Sequence, residues 1–316
     1  MSDRPRLRCR RWTRAEPRLD DPLALLNAPG PGPGGGSLRY LLLDVFAERP
    51  LEGNQLAVFS DGSGLDAGSM QAIARELKLS ESVFLLAAEG AGDARARIFT
   101  PEAELPFAGH PVLGTGAALA AARGREKVVL ETGAGEVAVA LAEHDGRRLA
   151  ASMLQPVPTW QPVEDPAPLL AALGLAASSL PVERYDNGAR HVLVAAGSRA
   201  EVAALDPDLR ALQELEPQAG VSCFAGSAGR YKTRMFAPGL GVPEDPATGS
   251  AAGPIAVHLV RHGLEDPGRR LEISQGEELG RPSRLIASAD GEPGRFERVE
   301  VQGGVIVVGR GELLAS

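Results

Sequence analysis

The sequence predicts an α+β fold built as a duplicated lobe, each copy combining short strands with one buried helix. Two observations carry this. Arg97-Ile98-Phe99-Thr100-Pro101 is matched by Arg234-Met235-Phe236-Ala237-Pro238, and each is followed five residues later by a proline, Pro106 and Pro243. Each copy then reaches a small residue and a glycine at the mouth of an apolar helix, Ala108-Gly109-His110 and Thr248-Gly249-Ser250. Chance could give the Arg-x-Phe-x-Pro match alone, but is less able to give the proline, the glycine and the apolar helix in the same order. Two copies are too few for a solenoid, which needs at least three stacked units. The second copy is three residues longer, and Glu244-Asp245-Pro246 is the natural place for the insertion.

The elements follow from periodicity. Order is expected to begin near Leu38. RYLLLDVF (39–46) and QLAVF (55–59) are β-rich runs parted by Pro50, Gly53 and Asn54, so they read as strands. Met70, Ile73, Ala74 and Leu77 fall on one helical face within 67–78. VFLL and the alternating ARARIF (94–99) read as strands. LGTGAALAAA is apolar all round, as a buried helix is. KVVLE, GEVAVAL and RLAASML give three more strands. HVLVAA (191–196), VSCFA (221–225) and KTRMF (232–236) are strands of the second copy. Residues 199–215 form a helix in two pieces parted by Pro207, and SAAGPIAVHLV is the second buried helix. The chain closes on three or four strands, the last two being VEVQ and VIVVG.

The first 37 residues differ. The start is basic and APGPGPGGGS can continue neither helix nor strand, so 1–37 reads as a disordered extension or an over-extended start. No apolar core follows Arg10–Arg11, which argues against a secretory or twin-arginine signal.

Composition narrows the function. The chain has 316 residues, 44% of them hydrophobic, enough for one large domain or two medium ones. A formal net charge of −8 repels phosphate backbones, so no nucleic-acid partner is expected. No run approaches the roughly 18 apolar residues of a membrane span. Cys9 and Cys223 are the only cysteines, so neither a disulfide framework nor a cysteine metal cluster is available. A cytoplasmic protein is the expectation.

Motif searches remove several chemistries. Gly114-Thr115-Gly116 lies inside the buried helix rather than between a strand and a helix, against a dinucleotide site. There is no Walker loop and no HExxH. Gly249-Ser250-Ala251-Ala252-Gly253 is not the G-x-S-x-G elbow of hydrolases. His144, His191, His258 and His262 show no joint metal spacing. No cofactor and no metal are expected. Cys223 lies in an apolar strand and reads as inert.

What remains is anion binding and acid–base chemistry. A helix entered through glycine exposes backbone N–H groups with partial positive charge, which suit a carboxylate or phosphate. Singly, Gly109 and Gly249 allow tight turns and nothing more; as a pair they suggest a cleft for a small anionic molecule. His110 stands at the first mouth, with Pro111 fixing the backbone after it. Asp245 is biased toward an extended backbone by Pro246, so its carboxylate is held at a turn. Glu81, between Ser80 and Ser82, reads on these grounds alone as a solvated loop carboxylate.

Five segments in order, DVFAERPLEGNQLAVF, MQAIARELKLSESVFLL, RIFTPEAELPFAGHPVLGTG, RMFAPGLGVPEDPATGSAAGP and QGEELGRPS, together resemble the PhzF family, the phenazine-biosynthesis isomerase and its relatives. The likeness runs from about Leu38 to the C-terminus. It implies a diaminopimelate epimerase-like fold, in which each lobe is a curled, mainly antiparallel sheet around a central helix and the site lies between lobes. The lobes would span 38–152, joined by a returning last strand at 304–316, and 153–303. The family often forms homodimers. Cofactor-free racemases of this fold use one cysteine at each helix mouth. The matching positions here are Ala108 and Thr248, so two-thiol chemistry is excluded. The PhzF arrangement instead implies a glutamate, and LSES places it at Glu81. His110 and Asp245 carry over as catalytic-site residues, and Gly109, Gly249, Ser250 and Ser80 as substrate contacts. The implied activity is a cofactor-independent isomerase in which Glu81 moves a proton within a small cyclic carboxylic acid. The alternatives are a non-catalytic metabolite-binding protein on the same scaffold and a racemase or epimerase using carboxylates.

Overall fold

The computed structural model describes residues 21–27 and 37–314. Its first half runs β1 (Ser37–Val45), β2 (Asn54–Phe59), α1 (Ala67–Leu77), β3 (Glu81–Leu86), β4 (Ala94–Phe99), β5 (Glu104–Leu105), α2 (Gly109–Ala122), β6 (Lys127–Thr132), β7 (Gly135–Asp145) and β8 (Arg148–Gln155). The second runs β9 (Thr159–Pro162), α3 (Ala167–Leu173), β10 (Glu183–Asp186), β11 (Arg190–Ala195), α4 (Arg199–Ala203), α5 (Leu209–Leu215), β12 (Gly220–Ser227), β13 (Arg230–Ala237) and β14 (Val242–Asp245). It ends with α6 (Gly249–Arg261), β15 (Leu271–Gln275), β16 (Ser283–Glu292) and β17 (Arg295–Leu314).

The fold is a sheet-rich mixture of strands and helices, and one order of pairing occurs in both halves. β1 pairs antiparallel with β2, β2 parallel with β3, and β3 antiparallel with β4. β4 takes β5 antiparallel and β6 parallel, and β6, β7 and β8 continue antiparallel. β10 to β17 repeat each of these relations, with β13 in the place of β4 and β14 in the place of β5. β17 then pairs with both β8 and β1, so the strands of the first half close into a ring.

Every residue from Gly109 to Ala120 of α2 is buried, as is every residue from Gly249 to Val260 of α6. A helix sealed on all sides must be apolar and slim, which explains the run of Ala and Gly in α2. At Gly116 an added Cβ would lie 2.5 Å from the Val139 side chain, so only glycine lets the helix sit this close to β7.

Three expectations change. Residues 22–27, placed in a disordered extension, form a 3-10 helix (Pro22–Asn27) whose Leu23, Leu25 and Leu26 are buried. It packs on α2, β1 and β17, and the Asn27 amide donates to the Ala122 carbonyl at the exposed end of α2 at 2.5 Å. The leucines supply apolar surface that the preceding basic stretch and the Gly/Pro tract lack. Residues 1–20 and 28–36 of the expected extension, with Cys9 and Arg10–Arg11, lie outside the described residues. VEVQ and VIVVG are one strand, and the boundary expected at 303/304 falls inside it. The intervening Gly303-Gly304 looked like a break, but a Cβ on Gly303 would lie 2.3 Å from the Phe46 ring, so the glycine serves close packing. Helix α3 was not anticipated. It is only seven residues long, and its buried Leu169, Ala172 and Leu173 are ended by Gly174 at φ +72°. Among the described residues no helix is long and apolar enough to cross a membrane.

Candidate active site

Glu81 opens β3, directly across from Leu56 of the parallel β2. Its side chain is 13% exposed, yet Oε2 itself is covered and has no hydrogen-bond partner. That oxygen lies 3.4 Å from Nε2 of His110, on the first turn of α2, and Nε2 is also unpartnered. Burial pushes the Glu81 carboxyl well above the usual carboxylate range, and the negative charge of Asp245 adds to the push. Burial pulls His110 down to about 3, against a backbone hydrogen bond to Gln55. Burial thus works against the charged form of both partners, and the imidazole is neutral.

Asp245 arrives from the other half, at the end of β14. Burial raises it to about 6, against hydrogen bonds from Thr248, Asn54 and Ser80, while Glu244 adds negative charge. Thr248 Oγ donates to Oδ2 at 2.5 Å and the Asn54 amide donates to Oδ1 at 2.8 Å. Gln275 fastens the turn by donating to the Asp245 carbonyl at 2.7 Å and accepting from the Thr248 backbone N–H at 3.0 Å. The Asn54 amide nitrogen also stands 3.1 Å from His110 Nδ1. One asparagine from β2 thus meets both ionisable groups that flank Glu81.

The two helix mouths meet. A Cβ on Gly109 would lie 2.2 Å from the Ser250 nitrogen and 2.5 Å from the Gly249 carbonyl carbon. Such closeness between two backbones requires glycine. The N-terminal N–H groups of α2 and α6, which lack intrahelical partners, therefore open on a common space. Pro254 removes the N–H that would have bonded the Ser250 carbonyl, and Asn187 Nδ2 takes that carbonyl at 3.0 Å. Gln155 Nε2 holds the Gly249 carbonyl at 2.8 Å. Ser250 Oγ meets His191 Nε2 at 3.0 Å, and burial lowers His191 to about 4, so this imidazole too is neutral.

These residues surround a cavity of about 590 Å³ that Glu81, Gly109, His110, Asp245, Gly249 and Ser250 all line. A volume of this order fits a small-molecule ligand. Ser80 is not in its wall; it reaches Asp245 instead. Ala108 and Thr248 line the cavity at the N-caps of α2 and α6. Glu81, which looked solvated by spacing alone, opens β3 with its Oε2 covered, and burial is the largest cause of its raised pKa. Asn54, Gln275, Asn187, Gln155 and His191 were not singled out. Asn54 and Gln275 sat in quoted segments without a role, and nothing local to Asn187 or Gln155 signals a partner on α6.

Two other clusters are structural. Cys223 is fully buried, and burial raises its thiol far from the reactive range. His258 and His262, which showed no metal spacing by sequence, do gather around Glu183 of β10. Arg261 donates to the same Glu183 oxygen at 2.5 Å and Tyr185 does so at 2.9 Å. A guanidinium on that oxygen already balances its charge and repels a dication.

A family model described as "Phenazine biosynthesis-like protein" matches residues 43–311. The chain is 52% identical over 265 residues to the trans-2,3-dihydro-3-hydroxyanthranilate isomerase of Pseudomonas aeruginosa, covering 84% of this chain and 95% of that one. It is 50% identical over 275 residues to the enzyme of the same name from Pseudomonas chlororaphis, covering 87% and 99%. A solved structure described as a predicted epimerase from Pseudomonas aeruginosa superposes with a TM-score of 0.77 at 38% identity, over 89% of this chain and all of that one.

Proposed function

The chain belongs to the phenazine biosynthesis-like family and is an isomerase, and we propose that it moves a proton within a small cyclic carboxylic acid of the dihydro-hydroxyanthranilate type. The observation that carries this reading is the buried Glu81–His110 contact, beside Asp245 and at the joined mouths of α2 and α6. We read the repeated pairing order as the two lobes of a diaminopimelate epimerase-like fold, 38–152 with 304–316 and 153–303, with the cavity between them.

The free N–H groups of the two helix ends, with Gly109, Gly249 and Ser250, hold the substrate carboxylate. Glu81, ionised when it meets substrate, removes an allylic proton. The C–H bonding pair enters the conjugated system, the double bond migrates, and Glu81 returns the proton to the other terminus. The chemistry needs a carboxyl group that alternates between base and acid, and a raised pKa suits both roles. His110 and Asp245 orient and polarise the partners. No thiol is available at Ala108 or Thr248, which favours migration over two-thiol inversion.

The test is to incubate the protein with trans-2,3-dihydro-3-hydroxyanthranilate in D2O and follow it by proton NMR. Double-bond migration, with deuterium at the new C–H position to the extent that the protonated Glu81 carboxyl exchanges with solvent before it returns the hydrogen, supports the reading. Binding without turnover or exchange sinks it in favour of a metabolite-binding protein, and inversion of a stereocentre without migration sinks it in favour of a racemase.

A further inference from the structure

We infer that His191 is a positioning residue that donates from Nε2 to Ser250 Oγ and so turns the Ser250 hydroxyl hydrogen toward the substrate carboxylate. The inference rests on reading the mouth of α6 as a seat for that carboxylate, and it concerns a histidine that belongs to neither helix mouth.

The two halves are built alike here, and their difference points to His191. Glu81 opens β3 across from Leu56 of the parallel β2. In the repeated pairing order Gly220 opens β12 across from His191 of the parallel β11. The second half therefore carries a glycine where the first carries its carboxylate, and a histidine where the first carries a leucine. A Cβ on Gly220 would lie 3.3 Å from His191 Nδ1, so the ring occupies room that the glycine leaves. The ring is buried and lines the cavity.

Ser250 is fixed from behind. Asn187 Nδ2 holds its carbonyl at 3.0 Å, and Gln155 Nε2 holds the Gly249 carbonyl at 2.8 Å. Its hydroxyl meets His191 Nε2 at 3.0 Å and, among the described residues, nothing else. A hydroxyl has one hydrogen and two lone pairs. If Oγ gives its hydrogen to Nε2, only lone pairs face the cavity. If Nε2 donates instead, the hydroxyl hydrogen is free for a ligand.

Two constraints set the direction. His191 Nδ1 is buried and has no partner. The neutral ring has one hydrogen, and on Nδ1 it would be a buried donor with nothing to accept it. Orphaned N–H groups are rarer in folded proteins than bare acceptors. On Nε2 the same hydrogen has Oγ at 3.0 Å. A charged ring would donate from Nε2 as well, so the direction does not depend on the charge. The second constraint is the ligand. A carboxylate only accepts, so it repels a hydroxyl whose hydrogen is spent elsewhere. A chain from imidazole N–H through hydroxyl to carboxylate satisfies every member, and each bond in it polarises the next.

The experiment is calorimetric binding of 3-hydroxyanthranilate, an aromatic stand-in for the substrate, to the full-length protein. Ser250→Ala should weaken binding about tenfold or more, the worth of a hydrogen bond to a charged group. His191→Leu should weaken it about threefold to tenfold, the worth of a neutral one. His191→Gln, whose amide can donate to Oγ, should bind as wild type does. In the Ser250→Ala background His191→Leu should cost nothing more, because its effect passes through the hydroxyl. In the deuterium-exchange assay His191→Leu should raise KM with little change in kcat. Wild-type binding by His191→Leu, or an equal loss in the Ser250→Ala background, overturns the inference. If His191→Leu does not fold, 15N-histidine NMR of the wild-type complex decides it, with His191→Gln identifying the resonances. A hydrogen on Nε2 supports the inference and a hydrogen on Nδ1 overturns it. If Ser250→Ala binds as wild type does, the carboxylate seat at α6 fails and this inference with it. If Ser250→Ala weakens binding and His191→Leu does not, the seat stands and the role of His191 alone is overturned.

Discussion

Glu81 Oε2 and His110 Nε2 lie 3.4 Å apart, and neither atom has a hydrogen-bond partner among the described residues. Burial works against the charged form of both groups, so the contact is not an ion pair with a protonated imidazole. Replacing Glu81 by Gln keeps the shape and removes the acid. Deuterium exchange into substrate should fall by about 100-fold or more, the usual worth of a positioned acid–base group. Binding of a stable aromatic analogue, measured by calorimetry, should change little. Wild-type exchange in Glu81→Gln would remove the glutamate from the mechanism.

The variant also has a stability signature. A carboxyl whose folded pKa is raised contributes stability below its unfolded pKa and loses it as pH rises through the folded value. Glu81→Gln should therefore gain relative to wild type in alkaline buffer and not in acid, a comparison that denaturant melts at two pH values can make.

Asp245 sets where the acid limb of activity falls. Its charge is the second cause, after burial, of the raised Glu81 pKa, and its own value is about 6. Asp245→Asn removes that charge, so Glu81 should ionise at lower pH and the acid limb of kcat/KM should move down. Because burial is the larger cause, the limb should stay above that of an exposed glutamate. A limb that moves up, or does not move, would contradict the charge coupling.

The two cavity histidines act in the opposite sense. His110 and His191 are lowered to about 3 and about 4, so both stay neutral in the fold while the unfolded chain takes up protons near pH 6.5. Their stability is complete above that value and is lost as pH falls toward 4, each adding a slope of about 1.4 kcal/mol per pH unit. His191→Gln, which can still meet Ser250 Oγ, should remove one such slope from acid denaturation. An unchanged acid profile would show that His191 protonates in place.

What could be read in the sequence was whatever repeats or lies close in the chain. The helix mouths were legible because Ala108-Gly109 and Thr248-Gly249 follow Phe99-x-Pro101 and Phe236-x-Pro238 in the same order, each with a proline five residues after the first. Glu81 was not, because its raised pKa comes from burial and from the charge of Asp245, with His110 of α2 beside it, rather than from its serine neighbours. Asn54 and Gln275 were not either, since each partner lies on another element: Asp245 is 191 residues from one and 30 from the other. β17 was misread as two strands because its diglycine answers to Phe46 and the Ala47 carbonyl, far away in the chain.

Gly109 should tolerate no side chain. A Cβ there would press on the backbone of Gly249 and Ser250, where no side-chain rotation can relieve it. Gly109→Ala should part the two helix ends, costing about 1–3 kcal/mol of stability, the usual penalty of overpacking. KM for the carboxylic substrate should rise. Gly64, with nothing within 4 Å of its Cβ position, is the control, and Gly64→Ala should leave both quantities unchanged. Equal behaviour of the two variants would mean that the helix mouths are not held in contact.

The leucines before the first strand should matter to folding although they lie outside the resemblance. Leu23 is fully buried, with Leu25 and Leu26 nearly so, against α2, β1 and β17. Asn27 meets a carbonyl of the last turn of α2, which lacks an intrahelical partner. A buried leucine cut to alanine loses about 2–5 kcal/mol, and this site, at the edge of the ring, should relax toward the lower end. Leu23→Ala should therefore lower the melting temperature by several degrees, roughly 2–4 °C per kcal/mol for a chain of this size. A chain begun at Ser37 should lose at least as much, because it uncovers the end of α2 as well as removing the leucines. Deuterium exchange at low temperature should survive both changes, since none of these residues lines the cavity. If the shortened chain melted like the full one, the Pro22–Asn27 turn would contribute nothing to the fold.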